Sequence, residues 1–492
     1  TPKEDVIATA ATVRTATLTA PDHVTVVQPA SGAERIAPPP PGPEVQTVLP
    51  RPVVERLANG LTVVTVQRDQ IPLTTALLVS DQGAAADPQG KGGLARLAAQ
   101  LTAKGTATRT ASQIASSIEA LGGTLNTDAD YDGSSIGVTV MAPQLSPALA
   151  ILADVARNPT FAEEEIERQG GINVDEVNVA LQDPGPLSGL VGIRAQYGTG
   201  AYGQPATGTP ATLKALTRAD VVDSYKRAFA RGRTTLIVTG AVDSAKAKAL
   251  AEQYFGDWAA TAPAPVPRPV ASGGTPGRTI VIDMPGAGQA AVAVLKPGIA
   301  RNDPRFYPLA VANNVLGGGY SSRLNQEIRI KRGLAYGAGS SLDARRLPGP
   351  AIASTQTKNE SAPEVLGLIL AEMQRLGAEP IPVAELGNRK AVINGSFGRS
   401  LETTASLASL VSGYVLRGLS LDEILRYQQA INQVAPADAG AAAGAVLAPA
   451  GATVVIVGDA KAFVDRLRQE RGEVTVIPLA KLDLENFPTP LP

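Results

Sequence analysis

The sequence predicts an α+β chain made of two duplicated domains, and three features carry that expectation. Residues 51–260 and 276–478 have similar lengths and run through the same order of elements. Each opens on β-branched text that reads as paired strands: Thr62-Val-Val-Thr-Val66 with Leu73 to Ser80, then Thr279-Ile-Val-Ile-Asp283 with Ala290-Ala-Val-Ala-Val-Leu295. Near their ends, Ala219-Asp220 precedes Thr234-Thr-Leu-Ile-Val-Thr-Gly240, and Ala437-Asp438 precedes Thr453-Val-Val-Ile-Val-Gly458. Asp220 to Asp438 and Gly240 to Gly458 span the same 218 positions, so the two copies end in frame. Strands lead in each copy, with amphipathic helices between them.

Taken in order, residues 1–50 are an Ala-, Thr- and Pro-rich arm, where Pro38 to Pro41 and Gly42-Pro43 favour extended, hydrated backbone over a core. Residues 51–260 are the first domain, with Asn59-Gly60 as the turn before its first β-rich run. In residues 261–275, proline at every second position gives way to Ser-Gly-Gly-Thr, the text of a linker. Residues 276–478 are the second domain, and 479–492 a tail. Within the second domain Pro285-Gly-Ala-Gly-Gln289 lies between two strand texts and reads as a hairpin, since a dinucleotide loop would open a helix. Gly317 to Gly319 read as a helix end and turn, because no Gly-Lys-Ser/Thr follows to make a phosphate loop.

Composition removes whole classes of chemistry. At 492 residues the chain is long enough for two cores. Its 44 Lys and Arg stand against 45 Asp and Glu, so a net charge of -1 gives no field to attract nucleic acid or an anionic membrane. With no cysteine there are no disulfides, thiol nucleophiles or thiolate metal sites. The single histidine, His23, lies in the arm, which leaves no material for a Ser-His-Asp triad or a multi-histidine metal centre. No Gly-x-Ser-x-Gly elbow supports an independent hydrolase either. No apolar run reaches the roughly 18 residues of a membrane-spanning helix. A start at Thr1 rather than Met, a Pro/Ala-rich arm and the lack of cysteine suit a bacterial periplasm, with the cytoplasm as the alternative.

The first chemically suggestive segment is Gly92-Gly-Leu-Ala-Arg-Leu-Ala-Ala-Gln-Leu-Thr-Ala-Lys-Gly-Thr106, a helical pattern punctuated by glycine at both ends. It resembles, without a gap, the Gly-Leu-Ala-His-Leu-x-Glu-His-x-x-Phe-Lys-Gly-Thr segment of the inverted-zincin metallopeptidases, the pitrilysin and mitochondrial-processing-peptidase family. In that frame the two zinc histidines fall on Arg96 and Gln100, and the general base on Ala99. Spacing i, i+4 puts two imidazoles on one helix face, where they share a zinc ion. The resemblance places the third ligand 76 residues beyond Gln100, at Glu176. A cation, a methyl and a neutral amide now stand where ligands and base belong, so no metal is expected in this chain, and a salt bridge, with Arg96 as the partner in view, is the expectation for Glu176.

In the second half, Leu316-Gly-Gly-Gly-Tyr-Ser-Ser-Arg-Leu-Asn-Gln-Glu-Ile-Arg-Ile-Lys-Arg-Gly-Leu-Ala-Tyr336 is similar along its whole length to the family's other signature. The resemblance implies that Arg329 and Tyr336, seven residues apart, act on substrate, the arginine holding backbone or carboxylate and the tyrosine hydroxyl stabilising the oxyanion. Arg332 is the nearer but wrongly spaced arginine. Gly122-Gly-Thr-Leu-Asn-Thr-Asp-Ala-Asp-Tyr131 resembles the edge strand on which the family lays peptide by strand addition, with Asn126 and Thr127 as its contacts.

Membership of this kind implies two mostly antiparallel sheets packed with helices, forming half of a clam-like chamber. It also implies a pairing: a zinc-bearing homologous subunit supplies the metal, and this chain lends Arg329 and Tyr336 in trans to hydrolysis of peptides or unfolded polypeptides. The chain alone would be inert. The alternative is a non-enzymatic scaffold or peptide-binding protein of the same fold, for which Arg329 and Tyr336 are dispensable.

Overall fold

The computed structural model describes residues 47–229, 233–258 and 277–487, so His23, nearly all of the arm and the 261–275 linker lie outside the described residues. These described residues form one compact unit. Two six-stranded sheets organise it. The first holds β1 (Val53–Arg56), β2 (Thr62–Gln67), β3 (Leu73–Ser80), β4 (Thr124–Ala129), β5 (Ser134–Met141) and β6 (Thr234–Gly240), in the order β1-β2-β6-β3-β5-β4. The second holds β7 (Thr279–Asp283), β8 (Ala290–Pro297), β9 (Ala335–Leu342), β10 (Pro350–Thr357), β11 (Thr453–Gly458) and β12 (Thr475–Pro478), in the order β12-β7-β11-β8-β10-β9. Without the outermost β1 and β12 the two orders coincide strand for strand, so the sequence repeat is a repeat of topology. Pairing is antiparallel except for β2 with β6, β7 with β11 and β7 with β12.

The landmarks that set the 218-residue frame turn out to be structural punctuation. Asp220 accepts a hydrogen bond from the Thr217 amide at 3.0 Å and Asp438 from the Ala435 amide at 3.2 Å, each closing the first turn of a helix, Arg218–Ala228 or Pro436–Val446. Gly240 and Gly458 end β6 and β11.

One expectation fails. The opening strands of each half are not neighbours, because β6 lies between β2 and β3, and β11 between β7 and β8. The Pro285–Gln289 segment therefore crosses the end of β11 and is not a hairpin. Burial explains the insertion: every residue of β11 and nearly every residue of β6 is buried, and strands of that composition are stable only where both faces are covered.

What covers those faces is exchanged between the halves. Helix Pro184–Tyr197 follows β5 in the first half, yet its Leu187, Val191 and Ala195 pack on Ile280, Ile282, Leu295 and Val455 of the second sheet. Reciprocally, Leu407, Ala408 and Val411 of helix Thr404–Leu416 pack on Val64, Val66, Val79 and Ile237 of the first. The tail joins this exchange, since Leu484 and Phe487 are buried in the same cluster as Leu187. The turns after β4 and β9 also meet: Asp132 accepts hydrogen bonds from the Tyr202 hydroxyl and the Arg346 amide, each at 2.8 Å, and the Arg345 guanidinium lies 3.9 Å from the Tyr131 ring centre.

Candidate functional site

In the first half the degenerate motif forms the predicted helix, Leu94–Thr102. Asp87 steadies its N-terminus, with Oδ1 accepting from the Ala95 amide at 3.0 Å; burial pushes this carboxyl well above its ordinary range, against the backbone N–H groups that favour its charge. Arg96 and Gln100 share one helix face, as their spacing requires, and helix Glu163–Leu181 brings Glu176 to them. Arg96 donates to Glu176 at 3.0 Å. Gln100 accepts from Asn173 at 2.8 Å, and Asn173 in turn accepts from Gln169 at 3.1 Å. Ala99 points elsewhere, buried with Ala84, Ala95 and Ala129 of β4.

These residues do not fit a zinc ion. A guanidinium replaces one donor and repels a cation, and the amide that replaces another is already committed to a buried neighbour. A methyl in a close-packed alanine cluster leaves no general base and no room for one. Among the described residues, no group of three or more His, Asp or Glu side chains is placed to hold a metal ion. Beside this helix runs β4, which among the described residues is an outermost strand paired with β5 alone, with Asn126 exposed and Thr127 half-buried on it.

The second half is built differently. Helix Phe306–Gly317 runs into the glycines, where Gly317 lies so close to β9 that a Cβ there would meet the Ser340 amide nitrogen at 2.0 Å, and Gly319 takes φ of 124°. After this turn, residues Asn325–Ile330 adopt a π-helical form, a local widening that shifts the phase of the side chains after it. Arg329 lies in it, half-buried. Tyr336 lies at the start of β9, where the register against β10 slips between Thr355 and Thr357, a β-bulge. A bulge re-aims a side chain, and Tyr336 is 88% exposed.

The two irregularities bring Arg329 and Tyr336 together, with the guanidinium carbon 4.7 Å from the ring centre. A third residue joins them that spacing did not flag: the Tyr320 ring lies 4.8 Å from the same carbon and is 63% exposed. Buried Asn325 ties the parts, donating to the Gly319 carbonyl at 3.0 Å and accepting from the Ala338 amide at 2.9 Å. The neighbouring cations have carboxylate partners: Arg323 has Glu385 through bonds of 3.0 and 2.8 Å, and Lys331 and Arg332 share Glu327. Those two partners hold the Glu327 carboxyl below its ordinary range. Among the described residues Arg329 has no ion-pair partner. The signal for Tyr320 was an aromatic straight after a glycine run in a chain with only 4% aromatics.

Comparison with known proteins agrees with this architecture. The family profile described as insulinase, peptidase family M16, matches residues 62–188, and that described as peptidase M16 inactive domain matches residues 215–392. A protein of Streptomyces coelicolor named an uncharacterized zinc protease is 27% identical over 67% of this chain and 72% of its own. One of the same name from Bacillus subtilis is 25% identical over 64% and 76%. Among solved structures, a protease from Helicobacter pylori superposes with a TM-score of 0.79 at 21% identity, covering 83% of this chain and all of the other. A peptidase M16 inactive domain from Pseudomonas fluorescens superposes with a TM-score of 0.76 at 23% identity, covering 83% and 98%.

Proposed function

The chain belongs to the M16 peptidase family, and from that premise we propose that it is the zinc-free, substrate-handling subunit of a two-chain peptidase. A homologous subunit with an intact zinc motif supplies the metal and the activated water. This chain supplies Arg329 to hold the peptide and the Tyr336 hydroxyl to donate to the oxyanion that forms on the scissile carbonyl. Peptides or unfolded segments are the substrates, and the β4 edge with Asn126 and Thr127 is an accessory place for them to pair.

The observation that carries this reading is the contrast between the two signatures. At the zinc-motif positions both polar side chains have partners within the chain, Arg96 in Glu176 and Gln100 in Asn173. At Arg329 and Tyr336, a cation without a carboxylate and a hydroxyl on a mostly exposed ring face outward. Buried polar groups are normally paired, and an arginine held without a counter-ion beside paired neighbours has its donors available for another molecule.

The test is co-expression with a zinc-motif homologue, with zinc content and cleavage of an unfolded polypeptide measured for each chain and for the mixture. The reading expects zinc in the partner and cleavage by the mixture only. Stoichiometric zinc in this chain, or cleavage by it alone, overturns it. Unchanged turnover in a complex carrying Tyr336→Phe favours the scaffold alternative.

A further inference from the structure

We propose that Tyr320 is a positioning residue for Arg329, and that the two rings together make Arg329 a receptor for a carboxylate on the peptide substrate. The inference rests on the reading above and adds to it a residue outside the Arg329 and Tyr336 spacing and a chemical preference for the bound peptide.

Three observations carry it. The guanidinium carbon of Arg329 lies over two tyrosine rings at once, 4.8 Å from the centre of Tyr320 and 4.7 Å from that of Tyr336. Ring faces attract a guanidinium through the negative centre of the π-system, and stacking leaves the in-plane N–H fork free. A fixed fork matches the two oxygens of a carboxylate, which accept two parallel hydrogen bonds. Charge agrees with shape: Arg323 pairs with Glu385, and Lys331 and Arg332 share Glu327, whereas Arg329 has no carboxylate among the described residues and its positive charge is left to be matched from outside. Finally, the placement is built rather than loose. Asn325, only 8% exposed, bonds the carbonyl next to Tyr320 and the amide two residues beyond Tyr336, so loop and strand are held to one side chain.

Tyr320 is 63% exposed on a glycine turn, and the ring contact it makes is with Arg329. Tyr320 adds a second ring to the one Tyr336 offers and so restricts the rotamers of the long, half-buried Arg329 side chain, and binding loses less conformational freedom. The tyrosine acts through its ring, and its hydroxyl is not needed.

The test has two stages. In the first, the chain alone is titrated at low salt with three short peptides: one with a free C-terminal carboxylate and no acidic side chain, one amidated with a single Glu, and one amidated with Gln. Either or both carboxylate peptides should bind about tenfold more tightly than the Gln peptide, and Tyr320→Ala should remove that difference while Tyr320→Phe keeps it. Which peptide binds tells a terminal from a side-chain carboxylate. Equal binding of all three, or a Tyr320→Phe chain that behaves like Tyr320→Ala, overturns the inference. In the second, the co-expressed peptidase is assayed on the Glu and Gln substrates. Tyr320→Ala should raise KM for the Glu substrate about tenfold and leave kcat nearly unchanged. A complex in which Arg329→Ala abolishes turnover but Tyr320→Ala leaves KM unchanged overturns this inference alone, whereas unaltered turnover with Arg329→Ala overturns the function on which it rests.

Discussion

The two halves share a topology but differ in how their signature segments end. In the first, the helix Leu94–Thr102 is regular and closes on itself chemically, with Arg96 on Glu176, Gln100 on Asn173 and Ala99 in an alanine cluster. In the second, a π-helical turn carrying Arg329 and a β-bulge beside Tyr336 bring these two together with Tyr320 of the glycine turn, and both rings are exposed. Regular structure satisfies its own polar groups, while irregular structure costs stability and is kept where side chains must reach something else. The difference teaches that one topology can close its signature segment by packing in one half and present polar groups to solvent in the other.

The largest expected effect breaks the comparison on the open side. In the co-expressed peptidase, Tyr336→Phe should lower kcat by about 100 to 1000-fold with a stable fold, because an oxyanion donor is lost while the exposed ring remains. Loss of folding instead, read by circular dichroism, would make Tyr336 a structural residue like Ala99.

On the closed side, Ala99→Glu tests whether the motif can be restored. A carboxylate forced into a site 1% exposed should destabilise the chain by about 3 kcal/mol in denaturant titration. A variant that keeps wild-type stability would show that the closed side is merely unoccupied rather than repacked.

Between these lies the exchange of helices. Leu187→Ala, in a first-half helix on the second sheet, should cost about 3 kcal/mol, and it should do so in one transition seen equally by probes in either half. Two separated transitions would mean that the halves fold independently despite the exchange.

A smaller effect is expected for Asn325→Ala: about 1 to 2 kcal/mol in stability, and a raised KM in the complex. An unchanged KM would detach the open site from its support.

The smallest effect concerns pH and the first half alone. Burial raises the Asp154 carboxyl, but hydrogen bonds from Asn158, Thr106, Thr108 and Arg109 outweigh it and hold the group below its ordinary value of 3.8. A carboxylate lowered in this way contributes stability that is present above 3.8 and lost as pH falls toward the lower folded value. Asp154→Asn should therefore weaken the chain at neutral pH and flatten its acid unfolding curve. An unchanged acid limb would show that Asp154 does not link Thr106 to pH.

Much of this was legible in the text. The repeat was readable because capping aspartates and strand-ending glycines must recur wherever the same turn recurs, as at Asp220 and Asp438. The motif helix was readable from its period and bounding glycines, and the substitutions at Arg96, Ala99 and Gln100 from their frame alone. The strand order was not. Short spacing made β7 and β8 look like a hairpin, whereas burial of β11 on both faces placed it between them.

By itself, then, the sequence determined local periodicity, the duplicated order and the identity of each motif residue, because these depend on neighbours along the chain. Only the tertiary structure decided which half covers which sheet, that Ala99 is locked in a cluster, and that Tyr320 meets Arg329 with Tyr336. Those depend on contacts between distant segments, and they were settled by where apolar faces could be buried and by two irregular turns whose geometry no residue pattern announces.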